Sequence, residues 1–65
     1  MKITVNAQAY DIKTKTLSQA LAELGFTDAA IATAVNGSFV PRTSRPQTEL
    51  RDGDRVEVLA PMQGG

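Results

Sequence analysis

The chain is predicted to fold as an α+β roll, with one mixed sheet of four to five strands packed on one main helix. Three observations predict it: two runs of alternating polarity near the start, one short amphipathic segment with a start and a stop signal, and further alternating runs around an Asn-Gly pair. At 65 residues one small domain is expected over residues 1–59, with residues 60–65 as a flexible Gly-Gly tail. A domain of this size buries only roughly 60% of the surface its unfolded chain exposes, so each core position matters.

Lys2 to Asn6 alternates polar and β-branched residues, which is the period of a half-buried strand with Ile3 and Val5 facing inward. After a connection from Asn6 to Ala9, Tyr10-Asp11-Ile12-Lys13 repeats the alternation. The two runs therefore read as an antiparallel hairpin. Tyr10 reads as a core residue rather than a stacking platform for a ligand.

Thr16-Leu17-Ser18-Gln19 fits a capping box, in which the Thr hydroxyl and Gln amide satisfy orphan backbone donors reciprocally. A helix then starts at Leu17. Leu17, Ala20, Leu21 and Leu24 form one apolar stripe, and Gly25 stands where a left-handed C-cap belongs. Two turns of helix are not stable alone in water, so the stripe must pack on the sheet, with Phe26 closing one end of the core.

Ile31 to Val35 has strand propensity, and Asn36-Gly37 is the strongest short hairpin signal because both residues tolerate positive φ. Ser38-Phe39-Val40 returns as a short strand. Pro41 removes a backbone donor, and Arg42 to Thr48, with a second proline at Pro46, reads as a surface loop. Leu50 anchors the turn Asp52-Gly53-Asp54. Arg55 to Leu59 is a final alternating strand with Val56 and Val58 inward, which turns Leu59 outward.

Composition excludes several functions. The chain has no cysteine and no histidine, which removes disulfides, thiol nucleophiles, thiolate metal sites and the commonest general base. Seven basic residues balance seven acidic ones, leaving no excess to neutralise phosphates, so nucleic acid is not an expected partner. The apolar runs are far shorter than the roughly 20 residues that span a bilayer, and no charged-then-apolar leader opens the chain. No membrane association is expected, and the cytoplasm is the default location.

The chemistry is therefore expected at the end, Ala60-Pro61-Met62-Gln63-Gly64-Gly65. At ~3.3 Å per residue, six residues reach ~20 Å, enough to place the last carboxylate inside another protein. Glycine lacks a Cβ, so it passes a narrow channel and accepts φ values that other residues refuse. Gly-rich termini are also common without function. Behind a domain that lacks catalytic groups, however, the terminal carboxylate is the leading candidate for a reactive atom.

Ala32-Thr33-Ala34-Val35-Asn36-Gly37 followed by Phe39-Val40-Pro41-Arg42, then Asp52-Gly53-Asp54-Arg55-Val56-Glu57-Val58, then Gly64-Gly65, stand in one chain of this length. Together they resemble the ThiS family, the sulfur carriers of thiamine thiazole synthesis within the ubiquitin-like β-grasp group, and the resemblance covers the whole chain. The related molybdopterin carrier also has a β-grasp fold and a Gly-Gly end, but it is longer and lacks the Asn-Gly to Val-Pro-Arg segment. The resemblance implies a β-grasp roll that is not itself an enzyme and binds no cofactor. An E1-like adenylyltransferase would use ATP and magnesium to adenylate Gly65, and a sulfur donor such as a cysteine desulfurase would supply the sulfur that displaces AMP. The resulting thiocarboxylate would serve thiazole synthase.

On the same reading Gly64, Gln63 and Met62 enter partner active sites, and the free carrier is a monomer. Leu59 and Met62 are candidate partner contacts, the alternative for Leu59 being packing under a loop. Two other functions remain open: a protein modifier joined to lysines through Gly65, and a non-catalytic module that docks RNA or protein. Asp52 and Asp54 read as turn residues rather than metal ligands, because no further ligands are spaced for calcium. Arg42, Arg45, Arg51 and Arg55 lie among Glu49, Asp52, Asp54 and Glu57, so they are expected to form a solvated mixed surface.

Overall fold

Two asparagines in the left-handed region set the frame of the sheet. In the computed structural model, which describes residues 1–27 and 30–60, Asn6 (φ 52°) and Ala7 (φ 68°) turn β1 (Lys2–Val5) into β2 (Gln8–Asp11). Asn36 (φ 51°) and Gly37 (φ 84°) turn β3 (Ala32–Val35) into β4 (Ser38–Val40). Both are two-residue connections with positive φ at each position, the geometry whose twist matches that of the flanking strands. The first turn is tighter than the expected Asn6 to Ala9 connection. β2 therefore begins two residues earlier than expected and ends at Asp11, with Val5 paired to Gln8 and Lys2 to Asp11. Ile12 still packs in the core, just beyond the strand, its N–H donating to the Met1 carbonyl at 2.8 Å.

β5 (Arg55–Leu59) lies at the centre of a five-stranded sheet of order β2-β1-β5-β3-β4. It runs parallel to β1 and antiparallel to β3, which makes the sheet mixed, as expected. Its burial alternates: Val56 and Val58 point into the core, while Arg55, Glu57 and Leu59 point out.

The inner face is covered by α1 (Leu17–Glu23), whose ends follow the sequence signals. Thr16 Oγ1 accepts from the Gln19 N–H at 3.2 Å, and Gln19 Oε1 accepts in return from the Thr16 N–H at 3.4 Å. At the other end Gly25 (φ 89°) lets the chain reverse. The Phe26 N–H donates to the Leu21 carbonyl at 2.8 Å and the Gly25 N–H to the Ala22 carbonyl at 3.2 Å, the paired bonds of a Schellman cap. Leu17, Ala20 and Leu21 are buried against Ile3, Val5, Val56 and Val58, with Leu24, Phe26 and Tyr10 packed around them.

The loop before the helix is tied to its far end by Glu23. Its carboxylate accepts from the Thr14 hydroxyl at 2.8 Å and from the Lys13 and Thr14 N–H groups. The Thr14 hydroxyl first, then the Lys13 backbone bond, hold this carboxyl below its usual pKa.

The expected loop from Arg42 to Thr48 is instead mostly a 3-10 helix over Arg42–Gln47. Arg45, expected on a solvated surface, is 8% exposed. Its Nε donates to Thr33 Oγ1 at 3.0 Å and its Nη2 to the Ile31 carbonyl. The Thr33 hydroxyl passes its own hydrogen to the Val40 carbonyl at 3.0 Å. A guanidinium tolerates burial when acceptors meet its rigid fork, and Thr33 of β3 and Ile31 just before it supply them here. Residues 48–50 then run antiparallel to the helix start: the Leu17 N–H donates to the Thr48 carbonyl and the Leu50 N–H to the Lys15 carbonyl, both at 2.8 Å.

Candidate functional site: the outer sheet face and the end of the central strand

Gly65, Gly64, Gln63 and Met62, the expected reactive end and its approach, lie outside the described residues. The structure describes the strand that leads to them. Leu59 is the last residue of β5 and stands opposite Ala32 on β3. It is 66% exposed on the face away from the helix, so it does not pack under a loop.

Phe39, an ordinary strand residue by its pattern, is the other large apolar group exposed among the described residues, at 69%. It pairs with Ala34. Ala32 and Ala34 are two residues apart on one strand and so share a face, forming a low floor with Phe39 and Leu59 standing beside it. Glu57, opposite Ala34 on β5, adds a charge at the edge of this shallow depression. Alternation could have found Phe39: once Val40 is assigned to the core, its neighbour must point outward. Among the described residues the exposed large hydrophobics are these two, and they flank the C-terminal half of β5 and β3 on the outer face.

Each end of β5 is held by an asparagine side chain. At the entry, Asn36 Oδ1 accepts from the Arg55 N–H at 3.0 Å, and Asn36 Nδ2 donates to Asp54 Oδ1 at 3.0 Å. At the exit, Asn6 Oδ1 accepts from the Val58 N–H at 2.9 Å while Asn6 Nδ2 donates to the Val58 carbonyl at 3.0 Å.

Asp52 and Asp54 act as turn residues. Asp52 Oδ1 accepts from the Lys2 N–H at 2.6 Å and Asp54 Oδ2 from the Arg51 N–H at 2.8 Å, while Gly53 turns the chain at φ 89°. The Asp52 carboxylate is engaged by a backbone donor of β1 and the Asp54 carboxylate by one of the turn itself, which fixes the entry of β5 against β1.

The comparisons with known proteins agree with this architecture. The ThiS family profile matches residues 3–65. The sulfur carrier protein ThiS of Thermus thermophilus is 36% identical over 63 residues, covering 97% of this chain and 98% of that protein. A thiazole synthase of Paramagnetospirillum magneticum is 32% identical over 66 residues, a match that takes in 100% of this chain but only 20% of that protein. Among solved structures, the crystal structure of the thiamine biosynthesis protein ThiS from Geobacter metallireducens superposes with a TM-score of 0.85 at 29% identity, over 100% of both chains. A solution structure of a thiamine biosynthesis protein from the same organism gives 0.78 at 29% identity, over 100% of this chain and 88% of that one. With one helix on a five-stranded mixed sheet, and a match that extends over all but the first two residues, the chain belongs to the ThiS family.

Proposed function

We propose that this chain is a sulfur carrier of thiamine biosynthesis whose working atoms are those of the Gly65 carboxyl group. The observation that carries the proposal is that the family match runs through to Gly65. The β5 strand, which ends at Leu59, supplies a rigid base for the six residues that follow.

A free α-carboxylate has a pKa near 3.5 and is ionised more than about 1,000-fold over the acid at pH 7, which makes it a poor electrophile. It has to be activated by a partner. An E1-like adenylyltransferase, using ATP and magnesium, joins the carboxylate oxygen to the α-phosphorus and releases pyrophosphate. The persulfide sulfur of a donor such as a cysteine desulfurase then attacks the acyl carbon and AMP leaves, and a thiol reductant cleaves the resulting acyl disulfide to the thiocarboxylate, itself being oxidised to a disulfide. The C–O bond to AMP is replaced by a C–S bond, and the thiocarboxylate is the sulfur nucleophile that thiazole synthase consumes. The carrier is a co-substrate in this scheme, and the catalytic groups belong to its partners.

Thiazole synthase as the consumer is supported by the Paramagnetospirillum protein of that name, which contains a segment similar to the whole of this chain. A carrier tethered to its consumer gains effective concentration without any new contact. We assign the docking of partner enzymes to Phe39 and Leu59, since an exposed apolar pair near the end of β5 is the kind of anchor a partner buries. Gly64, Gln63 and Met62 are assigned to the partners' active-site channels, and the cytoplasm is assigned as the place of reaction; among the described residues no helix is long and apolar enough to cross a membrane.

Removing Gly65 is the test. The truncated chain is expected to keep its thermal stability and to give no sulfur transfer in a reconstituted reaction with adenylyltransferase, sulfur donor and ATP. Transfer at the wild-type rate from the truncated chain refutes the proposal.

A further inference from the structure

We infer that Asn6 is a positioning residue for the reactive tail: its side-chain amide supplies the last rung on the β1 side of β5 and so orders the strand end from which the tail departs. The inference rests on the reading that residues beyond β5 enter partner active sites.

The geometry follows from strand lengths. On the side of β5 that faces β1, the backbone groups available are those of Asp54, Val56 and Val58. The Thr4 N–H donates to the Asp54 carbonyl and the Asn6 N–H to the Val56 carbonyl, both at 3.0 Å. There β1 stops, because Asn6 and Ala7 turn the chain away into β2. β5 continues to Leu59, paired to Ala32 on its other side. The rung at Val58 is thus beyond the reach of the β1 main chain, and the Asn6 amide takes its place with one acceptor and one donor. A turn with positive φ needs only a residue that tolerates that φ, and glycine meets the requirement. The amide is therefore surplus to the turn.

Asn36 provides an internal comparison. It occupies the same first position of the second hairpin turn, has nearly the same φ, and bonds the same strand through its amide. It holds β5 where the chain enters, whereas Asn6 holds it where the chain leaves. Without Asn6 the Val58 N–H and carbonyl lose these two bonds, and among the described residues the end of β5 is held only by the pairing of Leu59 with Ala32 on β3. A less ordered strand end increases the ordering entropy lost when a partner docks there.

The experiment compares full-length Asn6→Gly and Asn36→Gly with the wild type. Glycine keeps each turn and removes each amide. The readouts are steady-state pyrophosphate release by the partner adenylyltransferase with ATP, and amide hydrogen exchange along β5. For Asn6→Gly the expected result is a KM for the carrier about tenfold higher with kcat within about twofold, and faster exchange at Val58 through Ala60. For Asn36→Gly, both kinetic constants are expected to stay within about twofold, with faster exchange confined to the Arg55 end. Equal KM changes in the two variants, or exchange at Val58 through Ala60 unchanged by Asn6→Gly, overturn the inference. If the wild type itself is not adenylated, the functional reading fails, and the exchange pattern still decides the anchoring: confinement of the Asn6→Gly effect to Val58 through Ala60 supports it, and its absence there refutes it.

Discussion

Phe39→Ala and Leu59→Ala are expected to weaken partner binding while leaving the fold almost unchanged. Phe39 is 69% and Leu59 66% exposed in the free chain, so about two-thirds of each side chain is available to be buried by a partner. Full burial of such a side chain contributes about 1.5–3 kcal/mol, and two-thirds of that is about 1–2 kcal/mol for each residue. The dissociation constant for the adenylyltransferase or thiazole synthase should then rise by about 5- to 30-fold per substitution. The third already buried within the chain contributes about 0.5–1 kcal/mol to folding, a shift of a few degrees in Tm for a domain of this size. Calorimetric titration of each variant into each partner, with thermal melts in parallel, separates the two effects. Binding within about twofold of wild type for both variants and both partners refutes the assignment of this face, because the expected area would not have been buried.

Two further predictions concern what holds the scaffold. Arg45→Met keeps the volume of the side chain but takes its donors from Thr33 and the Ile31 carbonyl; a loss of about 1–3 kcal/mol in urea denaturation is expected, and unchanged stability would show that the guanidinium is not a structural strut. Glu23→Gln tests the brace between the loop and the helix. The folded-state carboxyl has its pKa lowered, so its stabilisation is fully present above the ordinary Glu value near 4.5 and is lost as pH falls through the depressed folded value. The stability gap between wild type and variant should therefore be widest near pH 7 and close toward pH 3, and a gap independent of pH would contradict the brace.

Local signals in the sequence carried much of this fold. The capping box at Thr16, the left-handed cap at Gly25 and the Asn36-Gly37 turn each specify backbone geometry through residues that are neighbours in the chain, and each appears where expected. Alternation placed Val56 and Val58 inward and Leu59 outward, because a strand buried on one face must repeat every two residues. The first turn is shorter than its sequence pattern suggests because Asn6 is followed by Ala7, which takes a φ of 68° that glycine usually supplies.

The burial of Arg45 departs from its sequence pattern for a different reason. Its partners Thr33 and Ile31 are brought to it by the tertiary fold, 12 and 14 residues away in the chain. A polar, proline-containing stretch gives no local sign that one of its charges is internal. The bonds from Asn6 to Val58 span 52 residues and are equally invisible to pattern reading. The candidate site divides along the same line. Its end, Gly64-Gly65, is legible in composition, and the outward position of Leu59 in period, but the pairing of Leu59 with Phe39 across Ala32 and Ala34 requires the sheet order.

The central claim is that Gly65 carries sulfur, and the most direct test is the intact mass of the protein purified from a thiamine-starved host, with fragmentation of the C-terminal peptide. The account predicts a gain of about 16 Da, sulfur in place of oxygen, confined to Gly65 and distinguished by the fragments from oxidation at Met62. An unmodified Gly65 in that host, or a Gly65 joined to lysine side chains of other proteins, contradicts it.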